Sequence, residues 1–220
     1  MLKACLLLCV AGRAWAQQPE YEVETLDQEV PGAAGGYFHK MAVDPRDHNR
    51  LVTTDGISAL WEVNLNSPGE HRTLYAGQTG EGSQGCTDGP RLGAQFDRPR
   101  DLCFDLQGNI FLASAHSNVV QRIDGESGMV TVVAGKCYSP GNKDGPAKEA
   151  LFNAPASLVC LPNGTVLIGD TGSANLRGLN CVANCIPQPD VPHPPDSSRQ
   201  HWKSAAIALG GVGMVAAGIW

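Results

Sequence analysis

Between residues 96 and 134 the chain carries short runs rich in apolar and β-branched side chains. Residues 102–104 (LCF) and 110–112 (IFL) read as strands whose side chains alternate between two faces. Four such runs, 101–105, 109–113, 119–123 and 130–134, are divided by turn formers: Gln107-Gly108, the stretch 115–117 (AHS) and Gly125 to Gly128. The pattern predicts four short antiparallel strands. No run keeps a 3.6-residue period over a dozen residues, which excludes a helical solenoid.

The pattern then repeats. Residues 72–77 (RTLYAG) match 130–135 (VTVVAG). Asp88-Gly89-Pro90 matches Asp144-Gly145-Pro146, Ala94 to Phe96 matches Ala150 to Phe152, Pro99 matches Pro155, and Gly108 matches Gly164. The last four matches share one offset of 56 residues; the first has 58, so one loop has changed length. A weaker copy lies upstream, where 40–44 (KMAVD) aligns with 101–105 (DLCFD) and 59–64 (ALWEVN) with 119–124 (VVQRID). Four strands per repeat of this length is the arrangement of a propeller blade. Blades are expected over 38–76, 96–134 and 152–180, the last ending before its fourth strand.

These residues resemble the NHL-repeat family. Phe96, Pro99, Leu102, Asp105, Gly108, Asn109, Ile110 and Phe111 match its blade motif in the middle copy; Phe152, Pro155, Leu158, Asp170, Thr171 and Gly172 match it in the third. Ser114 departs from it, standing where the family has Asp. The resemblance covers about residues 38–180 and includes the long inter-blade loop of one NHL subfamily. It implies an all-β propeller of four-stranded blades, here about three, an incomplete ring where four to eight are usual. It also implies structural roles for the motif residues. Gly108 and Gly164 should occupy turns, Asp105 and Asp170 should accept backbone hydrogen bonds at strand ends, and Phe96 and Phe152 should fill the gaps between blades. Some six-bladed relatives are lyases and hydrolases with a central metal.

The termini shorten the 220-residue chain. Lys3, the apolar run 4–11 and Ala14-Trp15-Ala16 have the form of a cleavable signal helix, with Gln17 first after cleavage. Residues 17–37 hold one lone strand pattern, 21–26 (YEVETL). A Pro-rich stalk spans 181–203, and 204–220 carries no charge. That tail, expected to be helical, fits a short membrane anchor or a lipid-anchor signal, with Ser197 in the candidate attachment triplet. About 180 residues then remain for folding, enough for one sizeable core.

Signal removal would take away Lys3 and Arg13 and shift the formal charge from −6 to −8. With no basic block, nucleic acid is not an expected partner. Apolar residues make up 42% of the chain, too many for disorder, and 26 Gly with 15 Pro supply turns. The processed chain keeps Cys86, Cys103, Cys137, Cys160, Cys181 and Cys185. Six cysteines in a secreted chain fit disulfides, with fifteen possible pairings. Asn163-Gly164-Thr165 is both a glycosylation sequon and a hairpin-turn signal.

Candidate chemistry is sparse. The six histidines, at 39, 48, 71, 116, 193 and 201, lie in separate loops or the stalk. No HExxH or GxSxG occurs, the Gly-rich stretch 77–85 lacks a phosphate-binding Lys, and no base with an orienting partner is legible around His116. No cofactor is expected. The expected function is a secreted or cell-surface scaffold that binds protein or glycan through loops 77–95 and 135–151. Self-association through open blade edges and membrane contact through the tail are the other expected interactions. The alternatives are a metal-dependent propeller lyase or hydrolase, and a truncated propeller without activity of its own.

Overall fold

A computed structural model describes residues 39–67 and 72–181. The expected signal peptide, the lone strand at 21–26, Cys185, the rest of the stalk, Ser197 and the tail lie outside those residues. Where described, the chain is all-β apart from one 3-10 turn, Thr171–Ser173. Three antiparallel sheets form in sequence order. The first contains β1 (Lys40–Asp44), β2 (Asp47–Thr54), β3 (Ala59–Asn64) and β4 (Thr73–Gly77), paired as neighbours in that order. The second contains β5 (Gly89–Pro90), β6 (Pro99–Phe104), β7 (Ile110–Ser114), β8 (Val119–Ile123) and β9 (Met129–Gly135). Its order is β5-β9-β8-β7-β6. The third contains β10 (Pro155–Cys160), β11 (Val166–Asp170) and β12 (Asn175–Leu179), again in chain order.

The four runs read in the middle copy correspond to β6 to β9. The sequence pattern did not reveal β5, a two-residue strand from the long loop that caps the outer edge of the second sheet. In the third sheet three strands are described.

The middle sheet shows why its strands are apolar on both faces. Along β7, Ile110 and Leu112 enter one core cluster with Val52, Leu60, Tyr75 and Phe96. Phe111 and Ala113 pack into the other, with Phe152, Leu158 and Ile168. A strand buried on both sides has no polar face to alternate with. The first strands, β1, β6 and β10, pack side by side, so the sheets succeed one another around a common side. Phe96 and Phe152 sit between successive sheets, 0% and 3% exposed. A Cβ on Gly135 would lie 3.1 Å from the Phe152 ring and 2.6 Å from the Asn118 carbonyl, so this close approach requires glycine. Gly77 stands in the same relation to Phe96.

The repeat extends to backbone conformation. Positive φ recurs at Gly77 and Gly135 (+83° and +90°), at Arg98 and Ala154 (+53° each), at Gly108 and Gly164 (+76° and +80°), and at Asn118 and Ala174 (+59° and +54°). Asp105 Oδ1 accepts from the backbone N–H of Gln107 and of Asn109, both at 2.9 Å, closing the β6–β7 turn. Asn109 Nδ2 donates to Asp105 Oδ2 at 2.7 Å. Asp170 Oδ1 accepts the N–H of Asn153 at 2.7 Å, tying β11 to the loop before β10.

Candidate functional site

At one end of the sheets β1, β6 and β10 begin and β2, β7 and β11 finish, because Lys40 pairs with Thr54, Pro99 with Ser114 and Pro155 with Asp170. A cleft of about 600 Å³ opens at that end. His39 and Lys40 reach it from the start of β1, Arg98 and Arg100 from either side of Pro99, and His116 from the β7–β8 turn. Ala115, Ala154, Ala156 and Pro140 give it an apolar lining. Among the described residues no carboxylate lines it. Among the described residues, none of Lys40, Arg98 and Arg100 forms a salt bridge. A positive cleft in a chain of net charge −6 concentrates anions locally against the overall field.

His39 and His116, far apart along the chain, thus share one cleft. His116 also has an orienting partner. Its Nδ1 lies 2.9 Å from Oδ2 of Asp97, a carboxylate 4% exposed. Tyr138 Oη donates to the same oxygen at 3.3 Å. Burial, then the charge and hydrogen bond of Asp97, push the Tyr138 phenol up from its ordinary value. Asp97 Oδ1 is buried with no hydrogen-bond partner. On the other wall Arg100 Nη1 contacts His39 Nε2 at 3.1 Å.

The dyad has no local signature in the sequence, because its residues are 19 positions apart. The repeat nevertheless carried a signal. At the matching positions of the third copy stand Asn153 and Gly172, where the backbone keeps the same link: Gly172 N donates to Asn153 O at 2.7 Å, as His116 N does to Asp97 O at 3.3 Å. One backbone bears Asp and His in one copy and neither in the next, so the fold itself does not demand the dyad.

The two long loops are held down rather than free. Cys86 and Cys137 join them in a disulfide. Asp88 Oδ1 accepts the N–H of Val132 at 2.8 Å, and Lys148 Nζ donates to the Val132 carbonyl. Arg177 on β12 pairs with Asp144 and donates to the Lys143 carbonyl at 2.8 Å. A second disulfide, Cys103–Cys160, links β6 to β10, and Cys181 is also disulfide-bonded. Asn163 is exposed in the β10–β11 turn, its Oδ1 accepting the Thr165 N–H at 3.1 Å. Among the described residues no group of three or more His, Cys, Asp or Glu side chains is arranged to hold a metal ion, and no helix is long and apolar enough to cross a membrane.

No family model matches the chain. A 43-residue stretch is 46% identical to teneurin-3 of Danio rerio, and a 94-residue stretch is 29% identical to teneurin-3 of Mus musculus. These stretches are 20% and 36% of this chain but only 2% and 3% of those proteins. An auxiliary nutrient binding protein from Bacteroides ovatus superposes with a TM-score of 0.54 and 20% identity, over 63% of this chain and 36% of that one. The fold is propeller-like. A putative phosphatase from Bacteroides thetaiotaomicron shares it, with a TM-score of 0.53 and 14% identity over 63% of this chain and 33% of that one. Identities this low are a likeness of fold alone, and the chain spans about a third of those two solved structures.

Proposed function

We propose that the chain is a secreted or cell-surface binding module, its three sheets being NHL-like blades of an incomplete propeller. It captures an anionic protein or glycan ligand at the end that carries the cationic cleft, flanked by loops 77–95 and 135–151. The observation that carries this reading is the group Lys40, Arg98 and Arg100 lining a concave surface that has no carboxylate among its described lining residues. The disulfide between the two loops supports it, because a surface held in place before binding loses less entropy on association.

Disulfides in a domain of this size favour an oxidising compartment. Exposed Asn163 would be glycosylated there, and residues 204–220 would attach the module to a membrane, either as a short anchor or through a lipid at Ser197. β12 has a single strand neighbour among the described residues, so its open edge is the route for self-association, read by light scattering.

A metal-dependent lyase or hydrolase is less well supported, since the cleft presents cations and so does not fit a metal ion. A fragment without activity would lack a cooperative unfolding transition.

The test is capture from a panel of extracellular glycans and ectodomains by the immobilised full chain. Arg100→Glu should weaken capture about ten-fold or more, since it reverses a charge at the contact. Glu126→Lys, in the β8–β9 turn at the far end, should leave it unchanged. Full capture by Arg100→Glu with loss in Glu126→Lys would sink this placement.

A further inference from the structure

We propose that the cleft is a proton-coupled site for an oxyanion, either a carboxylate or a phosphate or sulfate ester. Arg98, Arg100 and Lys40 hold the group, and His116 is a donor that acid switches on. This rests on the cleft being the ligand site.

The hydrogen bonds of the two histidines fix what each ring nitrogen can do. A guanidinium only donates, so in the 3.1 Å contact Arg100 is the donor and His39 Nε2 the acceptor. An ionised carboxylate only accepts, so His116 Nδ1 donates to Asp97 at 2.9 Å. In the neutral ring that leaves His116 Nε2 without a proton. It has no partner among the described residues, on a side chain 60% exposed. In this state a lone pair faces any anion in the cleft, and part of the Arg100 fork is engaged by His39.

One proton on each ring reverses both effects. His116 Nε2 becomes an N–H donor, with Asp97 still accepting from Nδ1 and stabilising the imidazolium. His39 Nε2 becomes a donor too, can no longer accept from Arg100, and releases the guanidinium. The added charges then lie among Lys40, Arg98 and Arg100, where only an anion relieves their repulsion. The charged and titratable groups around His116 are Asp97 from the loop before β6, Tyr138 from the loop after β9, and the cations of the cleft. Among these Asp97 is the carboxylate, and its engaged oxygen, Oδ2, is occupied by His116 and Tyr138. Asn153 and Gly172 at the matching positions of the third copy make the dyad an addition to the blade.

The two protonation states are compared at a lower and a higher pH. Glucuronate and glucose 6-sulfate, each of which keeps a single negative charge throughout, are titrated calorimetrically into the full chain at about pH 5.5 and about pH 8, in buffers of different ionisation enthalpy. At least one probe should bind about ten-fold tighter at the lower pH, with net proton uptake. Which probe binds identifies the source of the oxyanion. His116→Gln should cut the proton uptake, and Arg100→Ala should weaken binding at both pH values. Equal affinity at the two pH values, uptake unchanged in His116→Gln, or no saturable binding of either probe would each overturn the proposal. If capture of the macromolecular ligand still depends on Arg100 in that case, the binding-module reading stands without the proton coupling.

Discussion

Replacing Cys103 and Cys160 with serine removes the covalent link between β6 and β10, the first strands of two neighbouring sheets. The bond joins residues 57 apart in sequence. In the chain-entropy treatment, opening a loop of that length returns about 4 kcal/mol of conformational freedom to the unfolded state. Both cysteines are half-buried against the second core cluster, so the exchange also costs a small amount of apolar contact, under about 1 kcal/mol. The second bond, Cys86–Cys137, closes an overlapping loop of 51 residues. Each bond then restrains a chain that the other has already restricted, so losing both costs less than twice the single loss. The expected destabilisation is about 3–4 kcal/mol, a large fraction of a typical domain stability of about 5–15 kcal/mol. Urea unfolding of the double variant measures it, with wild type reduced by dithiothreitol in parallel. A urea slope of about 1–3 kcal/mol/M turns the loss into a midpoint shift of about 1–4 M. A midpoint within about 0.3 M of wild type at unchanged slope would refute the claim that this bond restrains the unfolded chain.

Two further outcomes are expected. Phe152→Ala should cost about 3–5 kcal/mol by calorimetry, because the ring is buried between two sheets with the Arg177 guanidinium 5.0 Å from its centroid; a loss under about 1 kcal/mol would contradict that packing. Asp124 has its carboxyl held down to about 2, first by the Ser127 N–H and hydroxyl and then, against some burial, by Arg122. A depressed carboxylate stabilises the fold above its unfolded value of 3.8 and loses that contribution as pH falls through about 2. Asp124→Ala should therefore be less stable by about 1 kcal/mol at neutral pH, discounted for partial exposure, and should match wild type near pH 2. A gap that persists at that pH would exclude ionisation as its cause.

The strands and their antiparallel sheets are legible in the chain because their determinants are local. Strand alternation needs only residues two apart, and a turn needs only its own few residues, as at Gln107-Gly108 and Asn163-Gly164. The 56-residue offset relates the second sheet to the third, and Phe96 to Phe152 in the two core clusters. The two-sided burial of β7 is a tertiary fact: its run from Ile110 to Ala113 is apolar throughout, and the strand pattern alone does not say what covers each face. The cleft had no such local signature. His39, Arg98, Arg100 and His116 come from three separate segments, and each is an ordinary polar residue within its own stretch of sequence. They meet because β1 and β6 begin at the same end, with the turn into β8 beside them, and that juxtaposition is set by how whole sheets pack through the Phe96 and Phe152 cores. The pairings Cys86–Cys137 and Cys103–Cys160, and the burial of Asp97 beneath His116, have the same origin. Period and turn chemistry act within a few residues, whereas side chains from distant segments converge only once burial of apolar surface has brought the sheets together.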